Sequence, residues 1–341
     1  MLCVSGSHQP ALSENAESTQ DGPVKAFAYN AEIIAYSVKK CKYKLYLTGN
    51  VGQCMIFTEV ILMHLNHNDV LSILPDRDLF AHKGNFGRIL LLCGSRGYTG
   101  AAALAAKGAL RTGAGLVFLG VPESIYAIEA AKLTEPIVFP LPDNEGMFAE
   151  DAIEDIGKKL PQMDAVLVGP GMGKSDGCDA VLSFVLENFS GPVILDADGI
   201  NLAATHKDVI RRRDCPTILT PHAGEFVRIN SGSEDADVNQ AETLARDLGT
   251  IIVLKGHNTV TTDGFETYIN DTGNPGMAVG GSGDVLAGMI VSLVGQGIQP
   301  LKAAATAVWL HGAAGDLCAK DMGQYAMLPS DLLKYLPRLL K

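Results

Sequence analysis

Basic residues are scarce in this chain of 341 residues. It carries 27 Lys and Arg against 38 Asp and Glu, a formal net charge of -11. No long basic stripe offsets that charge. Nucleic acid and anionic membranes are therefore excluded as main partners, because both need a positive surface. Long apolar runs are missing as well. MIFTEVILMHL, the most apolar early stretch, is too short for a bilayer span and contains Glu59. The N-terminus lacks a basic cluster followed by an apolar run, so no secretory leader is expected and the chain reads as cytoplasmic. Without a leader, the glycosylation patterns at Asn188 and Asn270 read as accidental. The seven cysteines (Cys3, Cys41, Cys54, Cys93, Cys178, Cys215 and Cys318) are odd in number, widely spaced and without a CxxC pair. That argues against a disulfide framework and a structural zinc site. No Cys/His metal cluster and no Ser-His-Asp arrangement stands out.

Glycine, by contrast, is plentiful, with 37 residues. Residues 1–65 read as an extension. Its first two dozen residues are rich in Ser, Glu, Gln and Pro, as in a disordered tail, and a basic cluster follows at Lys39, Lys40, Lys42 and Lys44. Residues 66–341 read as one domain. From Arg88, short apolar strands alternate with helices: RILLLC, AAALAAKGALRTG, LVFLG, PESIYAIEAAK, DAVLVG, SDGCDAVLSFVLENF and PVILDA. TILT, IIVLK, NTVTTD and ETYIND add strands, and helices are expected from about Ser282 to Gly297 and Leu301 to Ala319. This pattern predicts an α/β fold with a mostly parallel sheet covered on both faces. Right-handed crossovers then gather the strand C-termini, and their Gly-rich turns, along one ligand-binding edge.

The strongest local signal is TGNPGMAVGGSGDVLAGMIVSLVGQG. Gly280, Gly281 and Gly283 precede an apolar helix, so the backbone can approach a ligand and free N–H groups with the helix dipole favour an anion. Asp284 sits in the first turn, where a carboxylate would repel a phosphate. General base duty is a good reason for its presence: it takes a proton from a hydroxyl while the N–H groups stabilise a phosphoryl group. A plain acidic residue at a helix start is the bland alternative. LVGPGMGKS tempts a P-loop reading, but the Walker A spacing needs Gly where Val168 stands, so that reading is rejected. In ILTPHAGEF, His222 and Glu225 lie three apart at a helix start; Glu225 can hold Mg²⁺ through water, or merely cap the helix. Lys255 in VLKGHNTV is a phosphate partner or a solvated strand end. In VILDADGINL, Asp196, Asp198 and Asn201 order a ligand or cap the next helix.

Taken in order, HKGNFGRILLLCGSRGYTGAAALAAKGALRTGAGLV, VGPGMG, VILDADGIN, LTPHAGEF, VLKGHNTV and NPGMAVGGSGDVLAGMI resemble the NAD(P)H-hydrate dehydratase family, from about Asp69 to Lys341. The resemblance implies a ribokinase-like, three-layer α/β/α fold around a mostly parallel sheet. It implies dehydration of the S form of hydrated NADH or NADPH with ADP or ATP and Mg²⁺, the general look favouring ADP. Asp284 would be the catalytic base. Lys255, Gly256, His257, Asn258, Thr259 and Gly283 would hold the adenine nucleotide. Ala101, Ala102, Gly171 and His222, with Asp284, would line the hydrate pocket, and Glu225 would assist Mg²⁺ through water. A homo-oligomer, a homotetramer in relatives, is expected. Many relatives carry a fused N-terminal epimerase; some 65 residues are too few for that fold, so epimerase activity is not expected here. Two rivals remain: a small-molecule kinase of the same fold acting on a vitamin precursor, and a non-catalytic nucleotide sensor. The retained Asp284 argues against the sensor.

Overall fold

In the computed structural model, residues 61–230 and 235–341 are described, together with two short backbone pairings further upstream, Ser37–Val38 with Cys41–Lys42 and Leu47–Thr48 with Met55–Ile56. The tail, Lys39, Lys40, Lys44 and the side chains of Lys42, Cys3, Cys41 and Cys54 lie outside the described residues. One compact unit spans Val60–Lys341, so the strand Ile61–Met63, upstream of the boundary read from sequence, belongs to the domain.

Ten strands form its main sheet: β1 (Ile61–Met63), β2 (Arg88–Leu92), β3 (Leu116–Pro122), β4 (Ile137–Leu141), β5 (Ala165–Val168), β6 (Val193–Leu195), β7 (Thr217–Leu219), β8 (Ile251–Leu254), β9 (Val260–Thr262) and β10 (Glu266–Ile269). Their order is β1-β10-β9-β8-β7-β6-β5-β2-β3-β4. The run from β8 to β4 is parallel, and only the β8–β9 and β9–β10 pairs are antiparallel. Pro140 sits in β4, an edge strand, where a missing N–H costs no ladder bond.

Successive strand residues feed opposite layers. Ile89, Leu91, Ala165, Leu167, Ile194 and Val253 point into one core; Leu90, Leu92, Val166, Val168, Leu195 and Ile252 point into the other. Period-2 alternation with both faces apolar is what a sheet sandwiched by helices demands. The first core is closed by α1 (His67–Ile73), α2 (Thr99–Arg111), α3 (Glu123–Lys132), α10 (Ser282–Gly295), α11 (Pro300–Met322) and α12 (Pro329–Leu339). The second is closed by α4 (Ala152–Lys159), α5 (Asp176–Asn188), α6 (Asp198–Ala203), α7 (Lys207–Arg211), α8 (Ala223–Ile229) and α9 (Val238–Leu248). Helix α10 is buried from Val285 to Gly295, as its all-round apolar sequence requires. It crosses α2 at glycines: a β-carbon on Gly108 would fall 2.5 Å from the Val285 carbonyl oxygen, and one on Gly288 would collide with the Ala105 carbonyl. This close crossing sets where α10 begins, and so where Asp284 stands.

Candidate active site

The C-terminal ends of β2, β5, β6, β7 and β8 converge on one edge, and the start of α10 faces them. Asp196, just past β6, is 2% exposed. Its Oδ1 accepts from the Thr220 hydroxyl at 2.6 Å and from the Lys255 ammonium at 2.7 Å. Lys255 also lies 3.9 Å from Glu225 Oε2. A β-carbon on Gly283 would sit 3.3 Å from Lys255 Nζ and 4.0 Å from Asp196 Oδ2. The helix start therefore meets the Lys255–Asp196 pair at a position where a side chain would press on the Lys255 ammonium. Gly281 caps α10 with φ +101°, and no side chain caps its amides.

This crowding sets the proton affinities. Burial, and then the charge of Asp196, push the Asp284 carboxyl up to about 6 against the opposing pull of Lys255. Burial alone would draw the Lys255 ammonium down, yet Asp196, Glu225 and Asp284 hold it above its ordinary value, so it stays charged. Cys93, buried just after β2, has its thiol raised well above the usual range by burial and by Asp284 and Asp196. It stays protonated and serves as packing. A base titrating close to neutrality beside a fixed cation is suited to proton abstraction from a hydroxyl.

A second group of loops faces this one. After β5, Gly169, Gly171 and Gly173 have φ of +127°, +62° and +83°. A β-carbon on Gly169 would collide with the Asp196 carbonyl, and one on Gly171 would fall 2.8 Å from the Ala101 Cβ. The Ser95 hydroxyl donates to the Gly171 carbonyl at 2.7 Å, and the Gly94 amide donates to Pro170 O at 2.8 Å. These bonds join the loop after β2 to the loop after β5. A hairpin (Asp143–Asn144 with Met147–Phe148) turns through Glu145 and Gly146, both with positive φ, and the Gly146 carbonyl accepts from the Arg96 amide at 2.8 Å.

The fold thus brings Asp284, Gly283 and Lys255 together, and seats Gly171 against Ala101. Ala102 is fully buried and packs beside Gly94, so its methyl belongs to the core. Gly256, His257 and Asn258 are exposed on the turn after β8, Asn258 with φ +59°, while the Thr259 hydroxyl donates to Gly256 O at 3.0 Å. His222 is the N-cap of α8. Its Nδ1 accepts from the amides of Gly224 and Glu225, and Glu225 Oε2 accepts from the His222 amide at 2.9 Å. Asp198 does not cap α6; its Oδ2 accepts from the Gly173 amide at 3.0 Å and ties the first turn of α6 to the glycine loop. Asn201 lies 3.5 Å from Asp198 and also accepts from Arg228. Sequence reading missed Thr220, Ser95 and His311. Thr220 stands next to Pro221 in ILTPHAGEF, and His311 lies in the Ala-rich middle of α11 with no titratable residue three or four positions away, so neither carried a spacing signal.

For Mg²⁺ the residues present fit only in a limited way. Among the described residues no three His, Cys, Asp or Glu converge on a common point. Glu225 is buried with Oε2 on a backbone amide and Oε1 3.4 Å from His222 Nε2. That donor set suits an ion carried in on phosphate oxygens and reached through water, not a protein cage.

A family model described as NAD(P)H-hydrate dehydratase matches residues 89–338. The bifunctional NAD(P)H-hydrate repair enzyme Nnr of Moorella thermoacetica is 42% identical over 278 residues, covering 79% of this chain and 52% of that protein. The ADP-dependent (S)-NAD(P)H-hydrate dehydratase of Bacillus subtilis is 35% identical over 278 residues, covering 80% of this chain and 95% of that protein. The chain thus spans about half the length of the bifunctional relatives it matches. Among solved structures, the ADP/ATP-dependent NAD(P)H-hydrate dehydratase from Bacillus subtilis, co-crystallized with ATP/Mg2+, superposes with a TM-score of 0.69 at 32% identity, covering 80% of this chain and 96% of that one. A ribokinase-like superfamily protein from Enterococcus faecalis superposes with a TM-score of 0.72 at 28% identity, covering 82% and 95%. The fold is ribokinase-like, and the chain belongs to the NAD(P)H-hydrate dehydratase family.

Proposed function

We propose that this chain restores NADH and NADPH from the S form of their hydrates, using ADP or ATP to remove water. The observation that carries the reading is Asp284. Its carboxyl titrates at about 6 in the first turn of a helix whose glycine start leaves amides uncapped. A module that only binds nucleotide gains nothing from a base beside an anion hole.

Hydroxide leaves badly and phosphate leaves well. Asp284 takes the proton of the ring hydroxyl as its oxygen attacks the terminal phosphoryl group, releasing AMP from ADP or ADP from ATP. Charge building on the transferred group falls on the amides at the start of α10. The ring nitrogen lone pair then expels phosphate, and loss of a proton from the neighbouring ring carbon restores the dihydropyridine. In this reading Lys255, Gly256, His257, Asn258, Thr259 and Gly283 hold the adenine nucleotide, and Ala101, Ala102, Gly171 and His222 line the hydrate pocket. Glu225 would help hold Mg²⁺ through water, and the ion would supply neutralising charge to the phosphates.

The substrate is a small molecule, and no described helix is long and apolar enough to cross a membrane. We place the reaction in the cytoplasm and the chain in a homo-oligomer, the homotetramer of the family. Support for self-association comes from Tyr126, Ile128 and Ile137, which stand exposed along α3 (Glu123–Lys132) and the β4 edge. Sedimentation would measure it, and a monomer would refute it.

The test of the reaction incubates the protein with hydrated NADH, Mg²⁺ and either ADP or ATP, following return of the dihydronicotinamide absorbance and release of phosphate. Recovery that requires nucleotide is expected. A folded sample with no recovery, or one that accumulates a stable phosphorylated product, overturns the reading, the latter in favour of a kinase.

A further inference from the structure

The loop that leads to Asp284 is held from behind by one short stretch of α11. The loop, Thr272 to Gly281, contains Gly273, Gly276, Gly280 and Gly281, and such a chain has high conformational entropy unless it is tethered. The tethers are specific. Asp316 accepts from the Gly273 amide at 2.8 Å with one carboxylate oxygen and from the Asn274 side-chain amide at 3.0 Å with the other. Gly312 leaves room for Thr272, whose hydroxyl and carbonyl a β-carbon there would strike; Gly315 does the same for Met277. The Thr272 hydroxyl donates to the Trp309 carbonyl at 3.0 Å. At the far end of the loop, buried His311 places Nε2 3.4 Å from the Ser282 hydroxyl, in the first turn of α10. Between the anchored ends, Ala278, Val279 and Gly280 stand exposed.

We infer that the segment His311–Asp316 of α11 is a positioning element for the anion-binding loop, with Asp316 acting through Gly273 and Asn274 and His311 acting through Ser282. The inference rests on the functional reading above and deepens it. None of these side chains touches the reacting atoms. They fix the turn that offers amides to the phosphoryl group, and preorganised donors stabilise developing charge at no reorganisation cost. Burial lowers the His311 imidazole to about 4, so it holds Ser282 as a neutral ring and adds no charge beside the anion.

The test compares Asp316→Ala with Asp316→Asn, and His311→Leu with His311→Gln, all in the full chain. Asp316→Ala is expected to lower kcat on the order of tenfold and to raise the KM for nucleotide, leaving the KM for hydrate unchanged, because displaced donors lose the phosphoryl group first. Asn keeps an acceptor for the Gly273 amide and should recover most of the loss, as Gln should relative to Leu at 311. A lowered melting temperature with both KM values and kcat of the folded enzyme unaltered would show a merely structural role and overturn the inference. So would equal changes in the two KM values. If the wild type restores no dihydronicotinamide, the functional reading fails separately. Calorimetry with ADP alone then decides: weaker ADP binding by Asp316→Ala supports the positioning role, and unchanged binding refutes it.

Discussion

Two helices start on the same edge of the sheet and treat their first amides in opposite ways. Helix α8 satisfies its own. The His222 ring accepts from two backbone amides, and Glu225 returns a carboxylate to the His222 amide, a reciprocal capping box. Helix α10 has a left-handed glycine at the same position and no side-chain cap. An uncapped helix start ordinarily costs stability. Other helices here, α2, α3, α4 and α6, also start without a side-chain cap, so the open end alone marks nothing; α10 is set apart because it carries Asp284 beside the Lys255–Asp196 pair. The contrast is between a helix end closed by its own side chains and one whose amides face the anion of the proposed reaction.

The largest expected effect lies on the open end. Asp284→Asn should lower kcat on the order of a hundredfold or more while nucleotide still binds, since it removes the base and spares the amides. The acid limb of the wild-type rate profile should fall as pH drops through about 6, where Asp284 takes up its proton. A flat profile across that range would remove Asp284 as the base.

The same carboxyl gives the next effect, on stability. Its folded value of about 6 lies above the ordinary 3.8. Such a group adds stability at low pH, and the contribution is lost as pH rises through about 6. Ionised Asp284 is therefore a cost at pH values above neutrality. Asp284→Asn should stabilise the fold there by about 2 kcal/mol, discounted for partial exposure, and the gain should vanish in acid. Denaturant melts at both ends of the range check the sign. Gly283→Ala is smaller still: its β-carbon would stand 3.3 Å from Lys255 Nζ, and nucleotide affinity should weaken roughly tenfold with little change in stability. An unaltered nucleotide affinity would place the anion elsewhere.

Much of this arrangement was legible in the residues. Alternating apolar strands and helices predicted a sandwiched parallel sheet because burial on both faces leaves few other patterns. Glycines before an apolar helix with Asp284 in its first turn predicted the open helix start, since positive φ is a backbone property that a local sequence can declare. Partners brought by other segments were not legible. Thr220 meets Asp196 across 24 residues, and Asp316 meets Gly273 across 43; neither pair shares a periodic signal. Asp198 had the residue type of a helix cap, and only the fold shows its carboxylate spent on Gly173. The strand Ile61–Met63 was invisible because three residues carry too little alternation to be distinguished from its flanks.

The smallest predicted effect concerns the capped end, and it decides whether His222 has one role or two. His222→Ala removes the acceptor for the Gly224 and Glu225 amides and should cost about 1 kcal/mol of stability, the usual value of an N-cap. Asn is a good N-cap with a shorter reach, so His222→Asn should recover that stability. If the KM for hydrate stays raised in the stable His222→Asn variant, the imidazole contacts substrate as well as holding α8. If the kinetics recover together with the melting temperature, His222 is a cap alone, the hydrate pocket loses one of its proposed walls, and the contrast between the two helix starts becomes complete.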